Sequence, residues 1–139
     1  MTGLVIKLKP NEKVLVNGVV LQNGDRAASI RVRTDDVAIL RARDAITKED
    51  AVTPLTRIYY IAQLAMAGEA DPQKANKEIC EGIEPLKAIF SGEVALDLIR
   101  AEEASKEHKF FVVMRAVKKH FELEQALLNR ASPTAALAS

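Results

Sequence analysis

The chain of 139 residues contains no tryptophan, one cysteine, two tyrosines and four phenylalanines. No Phe, Tyr or Trp precedes Tyr59. For the first third of the chain, that absence excludes a sheet that reads nucleic acid by stacking bases on aromatic rings. A lone cysteine, Cys80, excludes an intrachain disulfide and fits a reducing cytoplasm better than export. No run of about eighteen apolar residues is free of charge, and the first residues do not have the pattern of a secretory signal, so a soluble, cytoplasmic protein with no membrane contact is expected. His108 and His120 stand apart with no His-Glu-x-x-His motif between them, so neither a metal nor any cofactor is suggested. Both read as surface or helix-flanking residues. Gly-rich phosphate loops are missing as well. The acidic pairs Asp35-Asp36, Glu49-Asp50 and Glu102-Glu103 fall where capping and solvation call for acids. Cys80 sits among Ile79, Ile83 and Leu86 on an apolar helical stripe, the setting of a small hydrophobe rather than a nucleophile. The chain does not read as an enzyme.

What is present is ordinary globular composition, 48% apolar and 28% charged, at the size of one domain. Charge is unevenly spread. Residues 1–33 carry Lys7, Lys9, Lys13, Arg26, Arg31 and Arg33 against Glu12 and Asp25, a local excess of +4 in a chain of net +1. The same stretch holds two Asn-Gly pairs, Asn17-Gly18 and Asn23-Gly24, between apolar runs, and Asn-Gly is the strongest short-range hairpin signal. The segments Leu4–Lys9, Lys13–Val16, Val19–Gln22, Arg26–Arg33 and Val37–Arg41 are predicted as strands of an antiparallel meander. With a side-chain period of two, Leu4, Ile6 and Leu8 share one face of the first strand, opposite Lys7 and Lys9. In the fourth strand Ala28, Ile30 and Val32 oppose Ser29, Arg31 and Arg33.

From about residue 45 the period changes to helical. Thr47 can cap a short turn. Thr53-Pro54 and Asp71-Pro72 each pair a capping residue with a proline at the first helical position. Leu55, Ile58, Tyr59, Ala62 and Met66 follow at helical spacing up to a stop at Gly68. The second helix extends to about Phe90, with a kink or break expected at Pro85 near Gly82. After Ser91-Gly92 come a third helix and one last long helix bearing Phe110, Val113, Met114, Val117, Phe121, Leu127 and Leu128. The fold class is therefore α+β, a small β meander packed with a helical hairpin or bundle. Its divisions are 1–44 for the β module, 45–130 for the helical region and 131–139 for a flexible tail, and they are expected to form one compact unit.

Two surfaces are candidates for function. Lys7, Lys9, Arg31 and Arg33 on one sheet face, with Lys13 and Arg26 at the turns, can follow a phosphate backbone, so RNA binding through Arg and Lys is one reading. Solubilising an exposed sheet is the other. Phe110, Phe111, Met114 and Phe121 give the last helix apolar residues on more than one side, as a buried helix or a partner-docking face requires. A β unit this small is also compatible with completion by a second subunit in a homodimer.

The run Leu8-Lys-Pro-Asn-Glu-Lys-Val-Leu-Val-Asn17-Gly18-Val-Val-Leu-Gln-Asn23-Gly24-Asp-Arg26 resembles the opening of the bacterial flagellum biosynthesis repressor family, FlbT. Thr53-Pro-Leu-Thr-Arg-Ile-Tyr-Tyr60 is similar to that family's second marker. The resemblance implies a non-enzymatic post-transcriptional regulator that associates with the 5′ untranslated region of flagellin mRNA and promotes its decay, alongside a small flagellar regulator. It carries over no catalytic or ligand residues. The alternative reading is an adaptor or chaperone-like module that binds flagellin or the small regulator and affects the message only indirectly.

Overall fold

The computed structural model describes residues 4–17, 19–34 and 37–131. Gly18, the Asp35-Asp36 turn and the tail from 132 onward lie outside the described residues. Five strands come first: β1 (Leu4–Leu8), β2 (Lys13–Val16), β3 (Val19–Gln22), β4 (Ala28–Val32) and β5 (Ile39–Arg41). Each lies within a segment that alternation predicts. Their pairing is not that of a sequential meander. β1 pairs with β4 in a two-stranded antiparallel sheet, and β3–β2–β5 form a separate three-stranded sheet. β2 and β3 pair as a hairpin, with Asn17 between them in the left-handed region at φ 48°. Asn23-Gly24 makes no hairpin, because β4 leaves β3 and pairs with β1 instead.

The two sheets pack face to face. Ile6 and Leu8 from the first sheet and Val14 from the second form a small buried core, with Val16, Ile30, Val32 and Ile39 around it. The other face of the three-stranded sheet turns Leu15 and Leu40 toward the helices. The order of layers is therefore two-stranded sheet, three-stranded sheet, helices.

Residues 42–50 contain two short 3-10 turns, the second fastened by the Asp50 carboxylate, which accepts from both the N–H and the hydroxyl of Thr47. Then come α1 (Pro54–Met66), α2 (Pro72–Ile89), α3 (Gly92–Lys106), α4 (Phe110–Lys118) and α5 (Phe121–Ala131). The caps are as the sequence predicts. Thr53 Oγ1 accepts from Thr56 N–H at 3.2 Å and Asp71 Oδ2 from Lys74 N–H at 2.9 Å, satisfying donors that have no partner within the helix. Gly68, at φ 79°, ends α1. Helices α1 to α4 contact one another in a closed cycle around Leu55, Ile58, Ile79, Ile83, Leu98, Val113 and Val117, which makes a four-helix bundle with α5 laid against α1.

Two helical expectations change. α2 is not broken at Pro85 but runs on to Ile89. Gly82 is where α2 comes close to α1, since a Cβ there would meet Ile58 Cγ1 at 3.4 Å. The last long helix, in contrast, is divided between Lys118 and Phe121 into α4 and α5. Its residues are compatible with continuous helix, and the division follows bonds to other elements. His120 Nε2–H donates to buried Asp97 of α3 at 2.8 Å, and Glu124 of α5 accepts the Leu55 N–H at the start of α1, also at 2.8 Å.

Candidate nucleic-acid interface

The β1–β4 register places Lys7 opposite Ser29 and Val5 opposite Arg31. Lys7 and Arg31 are therefore diagonal neighbours on one face, and Ile6, Leu8, Ile30 and Val32 lie on the other, against the second sheet. Lys9 and Arg33 continue the same parity just beyond the strand ends and are exposed. Arg26 is exposed in the bend before β4. Lys13 is exposed too, but it belongs to β2 and thus to the other sheet. The six predicted cations divide accordingly into four on one sheet face, Arg26 at its margin and Lys13 on the other sheet. Among the described residues, none of the six forms an ion pair. Free, exposed cations on a face with no aromatic ring can meet phosphates, and they give no means of stacking bases.

Two features that organise this face are not apparent in the sequence. Glu12, one of the two acids in the basic stretch, is held by Arg41. The guanidinium donates through Nε and Nη2 to the carboxylate at 2.7–2.9 Å, and Nη2 also reaches the Lys7 carbonyl at 2.6 Å. The Lys9 N–H donates to the same carboxylate at 2.8 Å. The Lys9 amide and the Arg41 guanidinium hold the Glu12 carboxyl below its usual value. Its charge is thus countered locally rather than offsetting the lysines. Asn23 is the second feature. Its side-chain amide donates to the carbonyls of Lys9 and Arg26, each at 2.9 Å, tying the end of β1 to the start of β4. The only sequence signal at either position is a strand-terminal arginine or a turn-forming asparagine.

The apolar candidates on the last helices are placed differently from a docking face. Phe110 and Met114 are buried in the bundle, and Phe111 and Phe121 are half-buried against it. The Phe121 ring meets Tyr59 edge-on at 5.4 Å between centroids. Phe111 borders two clefts, one of about 200 Å³ that Met114 also lines and one of about 330 Å³ that Phe110 also lines, and Arg115 lies over its ring at 5.7 Å. Cys80 is half-buried, and burial and the Glu102 charge push its thiol up, away from nucleophilic character. His108 is exposed, but His120 is buried with Asp97, whose carboxylate also receives Arg100 Nη1 at 2.7 Å and Lys119 Nζ at 3.4 Å. Among the described residues, no three His, Cys, Asp or Glu side chains converge as a metal site would require, and no helix is long and apolar enough to cross a membrane.

The molecule is thus an α+β protein, a basic two-layer β module set on a helical bundle. The chain belongs to the flagellar protein FlbT family, whose model matches residues 4–128. It is 28% identical over 130 residues to the probable flagellum biosynthesis repressor protein FlbT of Caulobacter sp. (strain K31), covering 93% of this chain and 98% of that one. It is 26% identical over 130 residues to the flagellum biosynthesis repressor protein FlbT of Caulobacter vibrioides (strain ATCC 19089 / CIP 103742 / CB 15), covering 93% and 92%. A probable flagellum biosynthesis repressor protein FlbT of Mesorhizobium japonicum is 29% identical over 127 residues, covering 91% and 85%. No solved structure matches the chain.

Proposed function

We propose that this protein is a repressor of flagellum biosynthesis that acts after transcription, binding the 5′ untranslated region of flagellin mRNA and promoting its decay. Support for repression comes from the relatives, which are named flagellum biosynthesis repressors over nearly the whole chain. The observation that carries RNA as the target is the face holding Lys7, Lys9, Arg31 and Arg33, exposed and unpaired among the described residues while the nearby acid Glu12 is taken up by Arg41. Such a face grips a phosphate backbone and places the leader where ribosome access is blocked or nucleases reach it. Neither step needs catalysis by the protein.

The test is a titration of purified protein with flagellin leader RNA against a scrambled RNA, at several salt concentrations. Binding should weaken with salt, and Arg31→Ala with Arg33→Ala should lower the slope of log K against log salt by about 0.7 for each phosphate that the variant no longer neutralises. Unchanged affinity and slope in the double variant would remove this face from the mechanism. Selective binding of flagellin protein, with no preference for the leader, would favour the adaptor reading instead.

A further inference from the structure

The outer strand of the three-stranded sheet is unlike a protected edge. All four residues of β3 are exposed, with Val19 at 57%, Val20 at 64% and Leu21 at 45% of full accessibility. Val20 lies on one face and Val19 and Leu21 on the other, so neither face of the strand is covered. β3 contains no charge and no proline, the usual guards of a free edge. Among the described residues, β4 is likewise paired on one side only, with β1. The remaining two edges are better defended. Arg41 caps β1 at the Lys7 carbonyl, and β5 is three residues long and half-buried.

β3 and β4 follow one another in sequence, yet they cannot close on each other within the chain. The segment between them is held elsewhere. Asn23 N–H donates to Glu12 O at 2.9 Å, Asn11 N–H donates to Gly24 O at 2.7 Å, and the Asn23 amide holds Lys9 and Arg26. These bonds send β4 into the other sheet. Among the described residues, each chain therefore presents one unpaired β3 edge and one unpaired β4 edge, in separate layers.

We infer that these two edges are the interface for a second copy of this chain, β3 of each protomer pairing with β4 of its partner. One twofold operation closes both edges at once, as a closed homodimer requires. It turns a two-stranded and a three-stranded sheet into two five-stranded sheets of order β1-β4-β3-β2-β5, with β1 and β4 from one protomer and β3, β2 and β5 from the other. Charge selects this pairing. β4 carries Arg31 between Arg26 and Arg33, so β4 against β4 would set like charges together, whereas the uncharged Val-Val-Leu-Gln of β3 accepts that strand without repulsion. β3 against β3 would leave both β4 edges open.

The experiment is sedimentation equilibrium of the full chain without RNA, so its outcome is independent of the RNA-binding reading. A mass of two 15.2 kDa chains across the micromolar range is expected. Val20→Lys should give a monomer with unchanged helical circular dichroism, and Leu96→Lys, at an exposed aliphatic on α3, should stay dimeric. On a Cys80→Ser background, a Val20→Cys chain mixed with a Ser29→Cys chain should form a mixed disulfide on oxidation. That measurement decides the matter if Val20→Lys fails to fold. A monomeric wild type, a dimer indifferent to Val20→Lys in a folded variant, or disulfides only between two Val20→Cys chains would overturn the assignment.

Discussion

Arg41 and Glu12 lie 29 residues apart in sequence and form a two-pronged ion pair, both side chains about one-sixth exposed or less. One partner belongs to the three-stranded sheet. The other lies in the turn that ends β1, so the pair fastens one layer to the other. Arg41→Lys keeps the charge but not the fork that spans both carboxylate oxygens and the Lys7 carbonyl. It should lower the urea midpoint with the slope unchanged, and Arg41→Ala should lower it further. Equal midpoints for wild type and Arg41→Ala would show that the clamp does not hold the layers together.

Asp97 provides a second test, this time in the bundle. Burial raises its carboxyl, but hydrogen bonds from His120 and Lys119 outweigh that and hold it below its ordinary 3.8. Asp97→Asn leaves three donors facing a neutral amide. Because Arg100 and Lys119 are largely solvated, the cost should be roughly 2–3 kcal/mol rather than the full penalty of a broken buried pair. The sign with pH is fixed. A carboxyl lowered in the folded state contributes in full above about pH 4, and the contribution fades as pH falls through the folded-state value. The stability gap between wild type and Asp97→Asn should therefore narrow on acidification below about pH 4. A gap that widens there would contradict the assignment.

Glu124 binds the first turn of α1 from α5, its carboxylate accepting the Leu55 N–H where the helix dipole favours negative charge. Glu124→Ala should cost about 1.5–3 kcal/mol, the range for a hydrogen bond to a charged group. Glu124→Gln, which retains an acceptor, should cost less. Urea unfolding of the two variants side by side measures the difference.

Gly82→Ala should go the other way. The position is helical, and the added methyl would meet Ile58 at an ordinary van der Waals distance of 3.4 Å. Removing glycine from a helix interior should raise stability by about 0.5–1 kcal/mol. A lower thermal midpoint for the variant would show that the α1–α2 approach leaves no room for a methyl group.

These residues also mark where sequence reading stops. The strands were legible because alternation is local: Ile6 and Lys7 point to opposite faces whatever the strand pairs with. The four-residue basic face follows from the same parity. Strand order was not legible, since Asn23 carries a turn signal that β4's pairing with β1 overrides, through contacts to Lys9 and Glu12 in an earlier turn. The break between α4 and α5 was hidden for a similar reason. Lys118-Lys119-His120 has no helix breaker, and the chain turns there because His120 is drawn to Asp97, 23 residues away. Phe110 and Met114 show the complementary ambiguity. An apolar stripe has the same pattern whether the bundle or a partner covers it, and here the bundle does.

The passage from sheet to bundle is fixed from one side. Gln63 both donates to the Ile46 carbonyl and accepts its N–H, at 2.9 Å and 2.8 Å, and Tyr59 one turn earlier donates its hydroxyl to the Asp44 carbonyl at 2.6 Å. Burial and the Asp44 charge push the Tyr59 hydroxyl up to about 12, so it stays protonated and keeps donating at any physiological pH. Residues 44–46 are therefore splinted along α1 and do not act as a hinge. A load applied to the β module is transmitted directly to the first helix of the bundle.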